Sequence, residues 1–256
     1  MSFDEPRRYS RIAVETELDQ CIAEIGGVRV SDLVGQSPNF SAADYMFDED
    51  EVVVELKCLE ENKIDDEAIT EKASLLYAEA LRDGTAPVVA FGTVRLTTDG
   101  FPESFVRKLA ELYRRPIQGV IKKANKQIRQ TKQHLNRPRH KGLLLLVNDG
   151  HQALDPSHVM WLLHETFRRN SYSSINSVVF FTVNLLAEKP DIDRDLLVWI
   201  PANIPDRDPC PSALLKRLQE SWIRRMSQKT GMHIPTIEIS GSAALESIKN
   251  SGRIPP

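Results

Sequence analysis

The sequence predicts an α/β protein built around a mixed β-sheet flanked by helices. Three observations carry that expectation. Segments with apolar residues at helical spacing alternate with short β-branched or aliphatic runs along the chain. Gly142–Val147 is a continuous aliphatic run bounded by Lys141-Gly142 and Asn148-Asp149-Gly150, the pattern of a strand buried on both faces. Residues 44–59 read as a hairpin whose second arm alternates in side-chain character. A chain of 256 residues buries roughly 70–75% of its unfolded surface, enough to fold without a disulfide or a metal. One elaborated domain spanning residues 1–256 is therefore expected.

Residues 10–25 form the first predicted helix, with Val14, Leu18, Cys21, Ile22 and Ile25 at helical spacing and Gly26-Gly27 ending it. Val28–Val34 is the first predicted strand, followed by the turn signals Gly35, Ser37, Pro38 and Asn39. Asp44–Phe47 makes the second strand, Asp48-Glu49-Asp50 the turn, and Glu51–Leu59 the third. Asp65–Asp83 carries an Ala/Leu stripe (Ala68, Ala73, Leu76, Ala80) and predicts a helix, while Pro87–Leu96 is β-prone. Ser104–Tyr113 and Ile117–Leu135 read as two helices separated near Pro116. Gly142–Val147 follows as a buried strand, then a helix over Pro156–Arg169 with Ser157 as its cap. Strands are expected at Ser177–Val183 and Leu196–Ile200, a helix at Pro211–Gln228, and a short strand and small helix after Pro235. The organisation is a core over about residues 10–150, interrupted by a basic helical insertion over about 64–140, with a C-terminal α/β extension over about 151–256.

The net charge of −3 hides a strong asymmetry. Arg107 to Lys141 holds twelve Lys or Arg against the single acid Glu111, a segment of +11 that leaves −14 elsewhere. Asp44 to Glu71 holds twelve acids against two lysines. An acidic site that attracts a cation, with a basic arm in the same chain, suits a metal-dependent enzyme acting on a polyanion. Cys21, Cys58 and Cys210 are far apart and form no C-x-x-C pair, which fits idle thiols in a reducing compartment. The first residues, MSFDEPRRYS, lack the apolar segment of a signal peptide, and the apolar runs are too short to span a membrane. A cytoplasmic protein is expected.

The chemistry concentrates in Asp44–Lys57, DYMFDEDEVVVELK. On a strand, Val52, Val54, Leu56 and Cys58 share one face, while Val53, Glu55, Lys57 and Leu59 share the other. A carboxylate and an ammonium are thus placed on an otherwise apolar strand, where unpaired charge is costly. Asp44 lies eleven residues upstream of Glu55, on the preceding arm. Two carboxylates converging beside a lysine make a site for a hard cation, suited to metal-assisted hydrolysis of a phosphodiester.

Asp44 with Glu55-Leu56-Lys57 resembles the PD-(D/E)xK nuclease superfamily, and the element order over about residues 10–150 resembles it more loosely. The proline of that motif is displaced here, since Pro38 lies six residues before Asp44 and Ala43 directly precedes the acid. The resemblance implies a restriction-endonuclease-like core and a Mg²⁺-dependent nuclease, with Mn²⁺ as a substitute and DNA as substrate. It implies Asp44 and Glu55 as metal ligands, the backbone carbonyl of Leu56 as a further ligand, and Lys57 assisting the transition state. It also implies an acid from the first helix, for which Glu17 is chosen over Glu15 and Glu24. Paired cuts on a duplex would favour a homodimer.

The basic segment supplies the expected nucleic-acid contacts, Lys122, Lys123, Lys126, Gln127, Arg129, Gln130 and Lys132. Gln127 followed by Thr131 departs from the Q-x-x-x-Y pattern of the RecB-like branch. No Cys/His cluster, H-E-x-x-H helix, phosphate-binding glycine loop or G-x-S-x-G elbow occurs, which argues against zinc enzymes, nucleotide-driven activity and serine hydrolases. The alternative is a catalytically inactive module of the same fold that binds nucleic acid or an acidic partner through residues 107–141.

Overall fold

A computed structural model describes residues 11–35, 38–60, 67–86, 100–152, 154–231, 233–239, 241 and 245–253. The β-prone run expected over Pro87–Leu96 lies outside them. Helix α1 (Val14–Glu24) leads into the two-residue strand β1 (Val28–Arg29), the short helix α2 (Val30–Val34), β2 (Tyr45–Phe47) and β3 (Val52–Glu60). Helices α3 (Glu67–Arg82) and α4 (Glu103–His134) cross to β4 (Lys141–Asp149). Then follow α5 (Pro156–Arg169), β5 (Ser177–Val183), β6 (Leu185–Lys189), β7 (Ile192–Leu196), β8 (Trp199–Asn203), α6 (Ser212–Thr230) and β9 (Lys249–Arg253).

The central sheet is mixed and ordered β1-β2-β3-β4-β5-β8. Its first three strands run antiparallel, β3, β4 and β5 run parallel, and β8 returns antiparallel. Alternation along each strand splits the core into two layers. Val53, Leu144, Leu146, Val178 and Phe180 meet Ile117, Ile121, Ala124 and Ile128 of α4 and Val159 and Leu162 of α5. Val52, Val54, Leu56, Leu143, Leu145 and Phe181 meet α1 (Val14, Leu18, Cys21, Ile22) and α6 (Leu214, Leu218, Trp222, Met226) on the opposite face. Strand β5 is buried throughout, and β4 at all but its end residues Lys141 and Asp149, because helices cover both faces. A small antiparallel sheet, β7-β6-β9, completes the C-terminal half.

Four expectations are corrected. The strand expected over Val28–Val34 ends after Arg29, where Val30 is fully buried, its N–H donates to the Asp44 carbonyl, and the chain coils until Gly35 at φ +83°. No break occurs at Pro116; α4 is one helix of 32 residues. Its buried stripe, Ala110, Tyr113, Ile117, Ile121, Ala124 and Ile128, is continuous across the proline, and this burial outweighs the ~3 kcal/mol that an interior proline costs. Leu196–Ile200 is not one strand, because β7 ends at Leu196 and β8 starts at Trp199 in the other sheet. The switch falls at Val198, which is buried and donates its N–H to Thr182 Oγ1 at 3.0 Å. Asp155, not Ser157, occupies the cap position of α5, and its carboxylate accepts from Asn250 N–H at 2.8 Å.

Among the described residues no helix is long and apolar enough to cross a membrane. The parallel pair β3/β4 depends on Gly142, where an added Cβ would collide with the Ser174 carbonyl oxygen and come within 2.9 Å of Ile128 Cγ2. The Ser174 backbone cannot retreat freely, since its N–H is held by Asn125 Oδ1 at 2.9 Å and its carbonyl by Lys132 Nζ at 3.2 Å. Gly142→Ala is expected to destabilise the fold by about 2–3 kcal/mol, read as a lowered midpoint in urea denaturation. An unchanged midpoint would contradict the packing described.

Candidate active site

Strand β3 has a partner on each side up to Val54, where β2 pairs Tyr45 with Val54 and Asp44 N–H donates to the Val54 carbonyl at 3.2 Å. Beyond that point β2 has ended, and the Asp44 side chain takes over the open edge. Its Oδ2 accepts from Leu56 N–H at 2.7 Å. Within a strand the N–H and C=O of one residue point to the same side, so the Leu56 carbonyl shares the side on which Asp44 lies. Glu55 projects from the next position and is fully buried. Lys57 Nζ donates to Glu55 Oε1, while Glu55 Oε2 meets no hydrogen-bond donor among the described residues. The hairpin thus brings Asp44, Glu55, Leu56 and Lys57 together.

The electrostatics are those of a crowded pair. Burial pushes the Glu55 carboxyl well above the ordinary glutamate range, and the nearby Asp44 carboxylate pushes it further, against the pull of Lys57. Burial also raises Asp44, offset in part by the Leu56 N–H. Each carboxyl is close enough to influence the ionisation of the other. Two acids that cannot both ionise cheaply in one place are stabilised by a proton or by a cation.

A cleft of about 370 Å³ reaches Asp44 and is lined by Glu15, Asp19, Arg29, Asp44, Leu56 and Lys57, among others, with Glu55 buried behind them. The acid chosen from the first helix, Glu17, is not there. It is buried against α6, where its carboxylate meets Arg225 Nε at 2.6 Å and Lys229 Nζ at 2.8 Å. Burial opposes its ionisation, but those two cations hold it below the ordinary glutamate range. Glu24 faces α6 as well, accepting from Ser221 and Arg224. Of the three glutamates of α1, Glu15 is the one on the cleft side; it is exposed and contributes repulsion at Asp44.

Arg29 is not among the residues expected from the sequence. Its Nε donates to Asp19 Oδ1 at 2.8 Å, and the same oxygen accepts from Tyr45 Oη at 2.9 Å, which fixes a guanidinium in the cleft wall. Glu15 and Asp19 stand four apart on one helix, so they share a face; that spacing is the one available signal. Nothing in the sequence marks Arg29.

The basic segment is sorted by the fold. Five of its cations are bound to acids: Arg107 to Glu103, Lys108 to Glu79, Arg114 to Glu111, Arg137 to Asp48 and Lys141 to Asp208. Lys132 is turned inward onto the Ser174 carbonyl, and burial lowers its pKa to about 8. Gln127 and Gln130 bond to the backbone of Ala42 and Ser41. These three are therefore not free to grip phosphates as expected. Lys122, Lys123, Lys126 and Arg129 remain exposed, and no acid pairs with them among the described residues. Lys122, Lys126 and Arg129 recur at i, i+4 and i+7, one stripe on the outer face of α4.

Among the described residues no group of three His, Cys, Asp or Glu side chains gathers as a ready metal cluster. Mg²⁺ asks for less, because it keeps several waters and is held by one or two carboxylates plus substrate phosphate. Glu55 Oε2, which meets no donor among the described residues, fits that requirement together with the nearby Asp44. Comparison with known proteins adds nothing to the geometry: no family model, no curated protein and no solved structure matches the chain.

Without a cation, Glu55 weakens the fold. Its folded-state pKa lies above the ordinary 4.5, so the destabilisation is absent in acid and grows as pH rises through and above that value. Glu55→Gln is expected to raise the melting temperature in EDTA near neutral pH, with the two proteins converging below about pH 4. Glu17→Gln should do the opposite. Its folded-state pKa lies below 4.5, so the stability it contributes is present above that value and is lost as pH falls through the folded pKa. Its removal is expected to cost about 1–3 kcal/mol at neutral pH. Thermal melts of both variants across pH check the two signs.

Proposed function

We propose that the chain is a Mg²⁺-dependent nuclease that hydrolyses phosphodiester bonds, with DNA as its substrate. The observation that carries this reading is the fully buried Glu55, whose Oε2 meets no donor among the described residues, set behind Asp44 and Lys57, which line the cleft. A purely structural ion pair gives no reason to seat a second carboxylate there. We read the sheet as a restriction-endonuclease-like core, a reading supported by the order of α1, the antiparallel β1-β2-β3 and the parallel β4 reached through α3 and α4.

Asp44 and Glu55 would hold the cation, joined by the Leu56 carbonyl on the open edge of β3. When bound, the metal supplies a lowered pKa for its water and neutralises charge on the phosphate. Lys57, tethered by Glu55, places an ammonium where negative charge develops in the transition state. Arg29 offers a fixed donor to a neighbouring phosphate of the same strand. Lys122, Lys126 and Arg129 meet the backbone away from the cleft, where contacts position the substrate without reading sequence. A homodimer would be needed for paired cuts on a duplex. Among the described residues no third acid gathers with Asp44 and Glu55, and this favours a second reading, a module that binds nucleic acid without cutting it.

Asp44→Asn, Glu55→Gln and Lys57→Ala are each expected to lower nicking of supercoiled plasmid about 100-fold or more, with Mg²⁺ or Mn²⁺ present and EDTA as the blank. Undiminished cleavage in all three would exclude this site. Lys122→Ala, Lys126→Ala and Arg129→Ala combined should reduce the salt slope of DNA binding by about 3, while leaving the metal requirement intact. An unchanged slope would remove α4 from the interface.

A further inference from the structure

Residues 41–43, which deliver Asp44 to the site, belong to no strand. The sheet ladder stops at the Asp44 N–H bond to Val54, so the backbone just upstream must find partners elsewhere. It finds them on one flank of α4. Gln130 Oε1 accepts from Ser41 N–H at 3.1 Å, Gln127 Nε2 donates to the Ala42 carbonyl at 2.9 Å, and Thr131 Oγ1 accepts from Ala43 N–H at 2.7 Å. Donors and acceptors alternate to match three successive residues, so the helix side chains stand in for a neighbouring strand. Thr131 is fully buried in an otherwise apolar helix face, and Ala43 is 4% exposed, small enough to let the helix come this close.

We propose that Thr131, Gln127 and Gln130 are positioning residues that hold Asp44 in register with Glu55 for cation binding. This rests on the reading of Asp44 and Glu55 as metal ligands. Asp44 is fixed downstream by the Val54 carbonyl and above by Val30 N–H, which donates to its own carbonyl at 2.9 Å. Upstream, the α4 side chains are what set its backbone. A shift of that segment, which includes the core residue Ala43, would swing the Asp44 carboxylate away from Leu56 and Glu55. Partners behind a metal ligand commonly set its affinity for the ion. The opposite flank of α4 supplies a control: Gln118 Nε2 donates to Asn170 Oδ1 at 3.2 Å, far along the helix from Asp44.

The test is titration of the full chain with Mn²⁺ by calorimetry, without nucleic acid, for wild type, Thr131→Val, Gln127→Ala, Gln118→Ala and Glu55→Gln. Amide hydrogen exchange at Ala43 is followed in parallel. The expected result is saturable binding that Glu55→Gln abolishes, that Thr131→Val and Gln127→Ala weaken about 10-fold or more, and that Gln118→Ala leaves unchanged. Binding to DNA in EDTA should be unaltered in Thr131→Val, Gln127→Ala and Gln118→Ala. Should Thr131→Val fail to fold, Gln127→Ala, altered at a half-buried site, carries the test. Wild-type affinity in the variants, despite faster exchange at Ala43, would overturn the positioning role and leave the nuclease reading standing. No binding by the wild type would overturn both.

Discussion

Strand β3 loses its antiparallel neighbour two residues before Leu56, while its parallel neighbour β4 continues to Asp149. That one-sided ladder is the constraint on which the site depends. A sheet sealed on both sides by helices has no place for a titratable side chain. Here the open edge admits Asp44 to the Leu56 N–H, and Glu55 is held beside it by strand geometry. The parallel pairing of β3 with β4 anchors Glu55 opposite Leu144, so its backbone cannot move to relieve the crowding. Charge is forced together because the backbone is not free to separate it.

The helices serve that edge from two sides. On one face, α1 contributes Glu15 and Asp19 to the cleft and secures itself to α6 through Glu17, Arg225 and Lys229. On the other face, α4 buries an apolar stripe against the sheet and uses its polar flanks on the connecting backbone. Asn125 and Lys132 hold Ser174, and Gln127, Gln130 and Thr131 hold residues 41–43. The outward stripe of Lys122, Lys126 and Arg129 faces solvent. A helix that reads as a uniform run of charge is thus three surfaces with separate tasks.

Local patterns make much of this legible in the amino-acid sequence itself. The hairpin, the faces of β3, the aliphatic β4 and the long helices follow from periodicity at 2 and at 3.6 residues, and with them come Asp44, Glu55 and Lys57 as one group. Relations between distant elements are not legible in the same way. Whether Glu15 or Glu17 faces the site depends on where α6 packs, some two hundred residues further along the chain. Pro116 reads as a break until the buried stripe on both sides of it is seen to lie on one sheet. The C-terminal half reads as an extension, yet β5 and β8 complete the central sheet. Gln127 and Lys132 look like solvent-facing donors in sequence, because their partners Ala42 and Ser174 offer only backbone atoms.

The most direct test of a cation seated between Asp44 and Glu55 is anomalous diffraction from crystals soaked in Mn²⁺. A peak within coordinating distance of Glu55 Oε2, the Asp44 carboxylate and the Leu56 carbonyl is the expected result. Ordered crystals with no peak there, or with Lys57 still closing on Glu55 and Mn²⁺ bound only elsewhere, would contradict it.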